Sequence, residues 1–495
     1  MLGEEILYLP ISELGRHLRQ KSFSPVELAQ SYLDRSHKIG PKLNAYVTIT
    51  SELAIEQARS AEKEIAAGHY RGPLHGVPYA LKDLVAVKGY RTTWGARPYV
   101  DQTFDYNATI VEKLNAAGAV LIGKAAMIEL AGGLGYSNGF AALTGAARNP
   151  WNTECWTCGS SSGSGAVVAA GLAPWAIGSD TRGSIICPTS WCGISGMRPS
   201  FGRVSRYGAM AIAWTMDKLG PMARTADDCG LILSVIAGPD PKDHDSQFTG
   251  PFHYPASELE PKPLRIGKLT NVWGRLPEEL ETAVTKALAT MEKAGARVSD
   301  VEMPEGPFED AAELTILIEA ASAFQTLIRS GDCARLDDPL GQINGYASDQ
   351  FSATDYLQVQ RVRAFLQREV DKLFDSFDVL ATAGQQSVAQ RLTPAPRPQQ
   401  PPLQKGPAQP SSQPLSQPLS QPRPAANRNA QTKPPDGVSS LCGLPALAVP
   451  CGFNSEGLPM AIQFIGRAGN DHAVIAAARM FQALTEWHKK RPAIS

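Results

Sequence analysis

The chain has 495 residues, of which 43% are apolar and 19% charged, and its formal net charge is −1. That length buries a large core, and α/β enzymes of this size run as one unit. The near-neutral balance excludes a field that would draw the chain to nucleic acid or to an anionic membrane surface.

The N-terminal stretch MLGEEILYLPISELGRHLRQ lacks a basic region followed by an apolar one, so no signal peptide is read and the expected compartment is the cytoplasm. Ser24-Pro25-Val26-Glu27 is a capping box with proline at the first helical position, and it predicts a helix to about His37. Ser51 opens a second predicted helix, ending at Gly68. Val77 to Leu81 reads as a short strand that runs into Lys82-Asp83. A helix over Ala108 to Ala117 and a strand over Ala119 to Ile122 follow, separated by Gly118. This alternation predicts an α/β fold, a sheet covered by helices.

Gly and Ser then crowd together across residues 155 to 220. A small-residue helix is predicted over Ala166 to Gly171, a buried strand over Trp175 to Gly178, and a second Gly/Ser turn over Ser179 to Ser184. The weakly polar run Gly165 to Gly178 has 14 residues and contains Pro174, too short and too broken to span a bilayer. Farther on, helices are predicted over Pro277 to Gly295 and Asp471 to Trp487, with strands over Ala296 to Val301, Phe377 to Ala383 and Met460 to Ile465. Residues 394–435 hold 13 of the 38 prolines and almost no large apolar side chains. Such a segment cannot bury enough surface to offset its ordering entropy, so a flexible or PPII-like insert is expected. It reads as a tolerated surface insertion rather than a partner-binding tract.

Eight cysteines do not make a disulfide framework at this length. Cys155-Trp-Thr-Cys158 is a C-x-x-C, but Cys187 and Cys192 do not supply the second pair that zinc needs. Reduced, mostly buried thiols and no metal are expected.

Gly159-Ser160-Ser161-Ser162-Gly163 matches the G-x-S-x-G nucleophile elbow. That motif requires a strand before it and a histidine after it. Here the preceding residues form a loop, and the late histidines, His472 and His488, fall in the last helical region. A second pattern carries more chemistry. Lys82 ends an apolar strand, and burial disfavours its charged form, which makes it a candidate general base. Two Gly/Ser turns, 159–165 and 178–184, can aim successive N–H groups at one anion. A Walker-type phosphate loop would need a Gly-Lys-Ser/Thr ending, which neither turn has.

Together these segments resemble the amidase signature family. The resemblance is carried by CGSSSGSGAVVAAGLAPWAIGSDTRGSIICPTSWCGISGMRPSFGRVSRYG, by GPLHGVPYALKDL and ATIVEKLNAAGAVLIGK before it, and by GLPALAVPCGF and GLPMAIQFIG after it. It implies a single large α/β domain with a mixed central sheet covered by helices on both faces. It divides the chain into an N-terminal helical region over 1–70, the signature core over 71–240, a helix-and-strand part over 241–393, the insert at 394–435, and C-terminal strands and helix over 436–495.

The resemblance also implies the site. The family lysine falls on Lys82, the bridging serine with a preceding cis peptide on Ser160, and the nucleophile on Ser184. The oxyanion donors fall on the N–H groups of Thr181, Arg182, Gly183 and Ser184. Neutral Lys82 would take a proton through Ser160 from Ser184, and the acyl-enzyme would form on Ser184. No cofactor or metal is implied. Two positions depart from the family near the nucleophile: Arg182 stands for a glycine and Ile186 for an arginine that would pair with Asp180. Arg182 is expected to supply that charge or to narrow the pocket mouth. Cys158 also replaces a common glycine.

Among relatives the N-terminal half is similar to the glutamine-hydrolysing component of the Asp/Glu-tRNA amidotransferase, its A subunit, which works for partner subunits. The glutamine site there uses an arginine that Asp338-Pro339-Leu340-Gly341-Gln342 lacks, and an acidic residue whose position falls near Lys433, with Asp436 offset. A stand-alone amidase acting on linear amides is therefore the expectation, with a small-molecule amide as partner, no direct nucleic acid and no membrane. A homodimer is left open. The glutamine-hydrolysing component is the alternative, and an inactive scaffold presenting its Pro-rich tract is the reading from another class.

Overall fold

The computed structural model describes residues 2–136, 139, 141–246, 252–255, 263–347, 350–392 and 435–494. The Pro/Gln-rich insert lies outside the described residues except for its last one, Pro435, which begins a helix running to Leu441.

The sheet strands, in chain order, are β1 (Tyr46–Ile49), β2 (Pro78–Lys82) and β3 (Val120–Ala125). After a separate short pair, β4 (Arg148–Asn149) and β5 (Asn152–Trp156), come β6 (Trp175–Asp180), β7 (Ser195–Arg198) and β8 (Lys218–Ala223). The C-terminal part adds β9 (Arg265–Leu269), β10 (Arg297–Val301), β11 (Val379–Ala383), β12 (Ala446–Phe453) and β13 (Pro459–Gly466). Among the described residues, eleven of these form one sheet in the order β1-β3-β2-β6-β8-β7-β12-β13-β11-β9-β10. The sheet is mixed. β3, β2 and β6 run parallel, β8, β7, β12 and β13 pair antiparallel, and β11, β9 and β10 are again parallel. Helices flank it, as the α/β expectation required.

Two neighbours in that order position the site. β2 and β6 are buried at every residue, which suits strands covered on both faces. They pair parallel, Ala80 with Ala176 and Leu81 with Ile177, so their C-terminal ends emerge side by side. Those ends carry Lys82 and Ser179-Asp180.

Local differences from the predicted elements have physical causes. The Ser24 capping box forms, Ser24 Oγ accepting from the Glu27 N–H and Glu27 Oε2 from the Ser24 N–H. Its helix runs past His37 to Leu43, because Ile39 and Leu43 continue the buried stripe of Tyr32 and Ser36. It stops at Asn44 in the left-handed region, a conformation asparagine tolerates. The small-residue helix begins at Ser162 instead of Ala166. Its glycines allow backbone against backbone: a methyl group on Gly163 would strike Ala126 and Ala45. Among the described residues no helix is long and apolar enough to cross a membrane.

Candidate active site

Lys82 is fully buried at the end of β2. Its Nζ lies 2.7 Å from Ser160 Oγ and 2.8 Å from Ser179 Oγ, donating to both hydroxyls. Burial pushes its pKa down to about 7, against smaller opposing contributions from Asp180 and Asp217. Its sequence neighbour Asp83 points away and pairs with Lys124 at 3.0 Å, both fully buried.

Ser160 is buried and follows a cis peptide bond, Gly159–Ser160. The next residue laces the two Gly/Ser turns together. Ser161 Oγ donates to the Ser179 carbonyl at 3.1 Å and accepts from the Ser179 N–H at 3.2 Å, while the Ser161 N–H donates to the Ser184 carbonyl at 3.3 Å. The central serine of the apparent elbow is thus buried and bonded to backbone. His472 stacks on Phe252 at 4.1 Å between ring centroids, so the elbow gains no histidine there.

Ser184, half-exposed, closes the turn after β6. Gly183 adopts a φ of 95°, which glycine allows without penalty. Asp180 pins this turn from beneath, accepting from the N–H groups of Gly183 and Ile185, each at 2.8 Å. Of the four N–H groups expected to face an oxyanion, that of Gly183 is therefore engaged with Asp180. Burial raises the Asp180 carboxyl, but Arg198, Lys218 and the backbone donors outweigh it and hold it below the usual value.

The charge beside Asp180 corrects one expectation. Arg182 does not supply it. Arg198, on β7, reaches Asp180 Oδ1 at 3.3 Å and Asp436 Oδ1 at 3.5 Å, with its guanidinium fully buried. Arg182 instead extends along the cleft to Glu309 Oε2 at 3.5 Å. The charge beside Asp180 thus comes from β7, a strand to which neither Arg182 nor Ile186 belongs.

The cysteines correct another. Cys158 and Cys187 form a disulfide with Cα atoms 5.9 Å apart. It ties the residue before Gly159 to the helix after Ser184, a contact that 29 residues of separation concealed. The other six cysteines are free and buried.

A cleft of about 870 Å³ opens over Gly159 and the turn Thr181–Ser184. Tyr136, Trp156, Trp191 and Trp273 supply aromatic wall, and Arg182, Glu309 and Asp436 supply charge. Leu340 and Asn344, on the helix Pro339–Ala347, also line it. Glu129 fixes that stretch by accepting the Asp337 and Asp338 N–H groups at 3.1 Å. Burial raises Asp436 to about 6, and its Oδ2 accepts from Gln385 Nε2 at 2.7 Å.

The fold therefore gathers Lys82, Ser160 and the Ser184 turn at one end of β2 and β6. Reading the sequence missed Ser179 as the second hydroxyl on Lys82, Arg198 as the buried cation, and Glu309 as a cleft acid. Ser179 meets Lys82 only through the parallel pairing of β2 with β6, and Arg198 and Glu309 likewise had no local signal.

The family model described as Amidase matches residues 27–475. The chain is 36% identical to a curated glutamyl-tRNA(Gln) amidotransferase component, the A subunit from Moorella thermoacetica, over 99% of each chain. The corresponding protein of Roseiflexus castenholzii is 34% identical over 98% of each. Among solved structures, the native peptide amidase of Stenotrophomonas maltophilia superposes with a TM-score of 0.80, 25% identity and 98% coverage of both chains.

Proposed function

The chain belongs to the amidase family, hydrolases of C–N bonds, and on that premise we propose that it cleaves a carboxamide through an acyl-enzyme on Ser184. Lys82, Ser160 and Ser184 are the relay. Neutral Lys82 accepts the Ser160 proton while Ser160 accepts that of Ser184, whose Oγ attacks the amide carbonyl carbon. The N–H groups of Thr181, Arg182 and Ser184 hold the oxyanion, and the Gly183 N–H, engaged by Asp180, sets the shape of the turn. Collapse returns the proton through Ser160 to the leaving amine, and water repeats the cycle on the acyl group. The observation that supports this most is Lys82 itself: buried, brought to about 7, and bonded to hydroxyls instead of a carboxylate.

For substrate and setting, the curated relatives favour glutamine hydrolysis within a multi-component amidotransferase over a stand-alone amidase. The chain covers those relatives almost end to end, and Asp436 stands in the cleft as an acid ahead of Gly443-Leu444-Pro445. The stand-alone reading retains two supports, the absence of an arginine from 338–342 and the peptide amidase fold at a TM-score of 0.80. Glutaminase turnover by the purified chain, compared with Ser184→Ala, tests the proposal. Turnover that survives in Ser184→Ala would remove it.

A further inference from the structure

The Cys158–Cys187 bridge sits in the cleft wall, and both of its cysteines line the cavity. Cys158 immediately precedes Gly159-Ser160, and Cys187 lies in the first turn of the helix Ile186–Cys192. The Cys187 N–H donates to the Gly183 carbonyl at 2.8 Å, so the bridge joins the segment of the relay serine to the turn of the nucleophile. Cys158 has a φ of 62°, in the left-handed region that favours glycine and that other side chains rarely adopt. Away from the cleft the two cysteines pack in one apolar cluster with Cys155, Trp191, Ala389 and Leu458, against which Trp156 rests.

We propose that Cys158–Cys187 is a redox modification site whose co-reactant is a dithiol, and that the bridge latches Ser160 in its working position while oxidised and releases it when reduced. This rests on the relay of Lys82, Ser160 and Ser184 and adds the regulation of that site. A thiolate of the dithiol enters by the cleft and attacks one sulfur, which breaks the Cys158–Cys187 bond and forms a mixed disulfide. The second thiol of the dithiol then displaces that cysteine. The dithiol leaves as its own disulfide, and its two electrons and two protons end on the Cys158 and Cys187 thiols. The freed sulfurs must separate to non-bonded distance. The packed cluster behind them has no room to yield, so the cleft and the Cys158 backbone take up the movement. Untethered, Cys158 relaxes out of the left-handed region, and Ser160, two residues on, moves with it.

The test measures the rate at which a fluorophosphonate labels the serine nucleophile, before and after dithiothreitol, with thiol state read by alkylation and mass and the fold by far-ultraviolet circular dichroism. Reduction should expose two further thiols, leave the dichroism unchanged and slow labelling by about 10- to 100-fold, the cost of a misplaced relay group. Reoxidation should restore the rate. Two double variants separate the latch from a mere loss of sulfur. Cys158→Gly/Cys187→Ala suits the left-handed backbone and should label fast whether or not dithiothreitol is present. Cys158→Ala/Cys187→Ala does not suit it and should label as slowly as reduced wild type. Equal rates for oxidised and reduced wild type, equal rates for the two double variants, or a loss that follows the dichroism would overturn the latch. So would eight alkylatable cysteines before reduction. Ser184→Ala distinguishes the two claims. If it is unlabelled while wild type ignores dithiothreitol, only the latch fails; if it labels as wild type does, the nucleophile reading fails and the latch with it.

Discussion

Asp83 turns its carboxylate onto Lys124, 3.0 Å away, and so leaves Lys82, the residue before it, to hydroxyls alone. Side chains of successive strand residues point to opposite faces, which is why this neighbour does not hold Lys82 charged. The depressed Lys82 has a consequence for stability. The unfolded chain binds a proton at Lys82 up to about 10.5, the folded chain only up to about 7. Between those values the unfolded state holds more protons, so this group's contribution to stability rises with pH through that window and is flat below it. Lys82→Met should flatten that slope; equilibrium unfolding from about pH 7 to about pH 10 checks it. An unchanged slope would mean the folded lysine keeps its ordinary affinity.

Removing Ser179 Oγ takes away one of two acceptors from the Lys82 ammonium. A hydrogen bond to a charged group contributes roughly 1.5–3 kcal/mol, so Ser179→Ala should lower the kinetic pKa of the amide reaction by about one unit. The acid limb of kcat/KM against pH reads this directly. A shift upward, or none, would place the controlling ionisation elsewhere.

Arg198 is the buried counter-charge for Asp180 and Asp436. Arg198→Met leaves two carboxylates facing each other without it. Breaking a buried pair from one side costs about 3–5 kcal/mol, and the loss should appear in the denaturation midpoint. Asp180→Asn should instead mis-set the turn, with kcat down by roughly 10²-fold, as for loss of one oxyanion donor. Asp180→Asn with unaltered kcat would show that the turn holds its shape without the carboxylate.

Much of this site is legible in the sequence because its parts are local. Gly/Ser turns of fixed spacing place Ser160 and Ser184, and an apolar run ending in Lys82 announces a buried lysine. What escapes is through-space. Arg198 bonds Ser439, 241 residues away, and carries its charge to Asp180 and Asp436 on other elements. Cys158 and Cys187 meet only because two turns fold onto one cleft floor. The helix to Leu43 was readable in kind and not in extent, since its end is set by what Ile39 and Leu43 bury against.

Replacing residues 396–432 with a short Gly/Ser linker should leave the hydrolytic step intact. Both anchors are held independently of the segment: the Leu392 N–H donates to the Glu154 carbonyl at 2.8 Å, and Pro435 opens a buried helix. Shortening a loop changes closure entropy only slightly, on the order of 1 kcal/mol. Lost turnover with an unchanged melting temperature would show that the segment acts at the cleft.

The central claim, that neutral Lys82 drives acylation of Ser184 through Ser160, is tested most directly by pre-steady-state acylation of wild type, Lys82→Ala and Lys82→Arg from about pH 6 to about pH 10. Wild type should follow a single ionisation near 7 and level off above it. Both variants should lose the ionisation and, by analogy with other serine hydrolases, at least about 10⁴-fold in rate, because arginine stays protonated and accepts no proton. An active Lys82→Arg variant with the wild-type profile would make Lys82 a structural cation and contradict the relay.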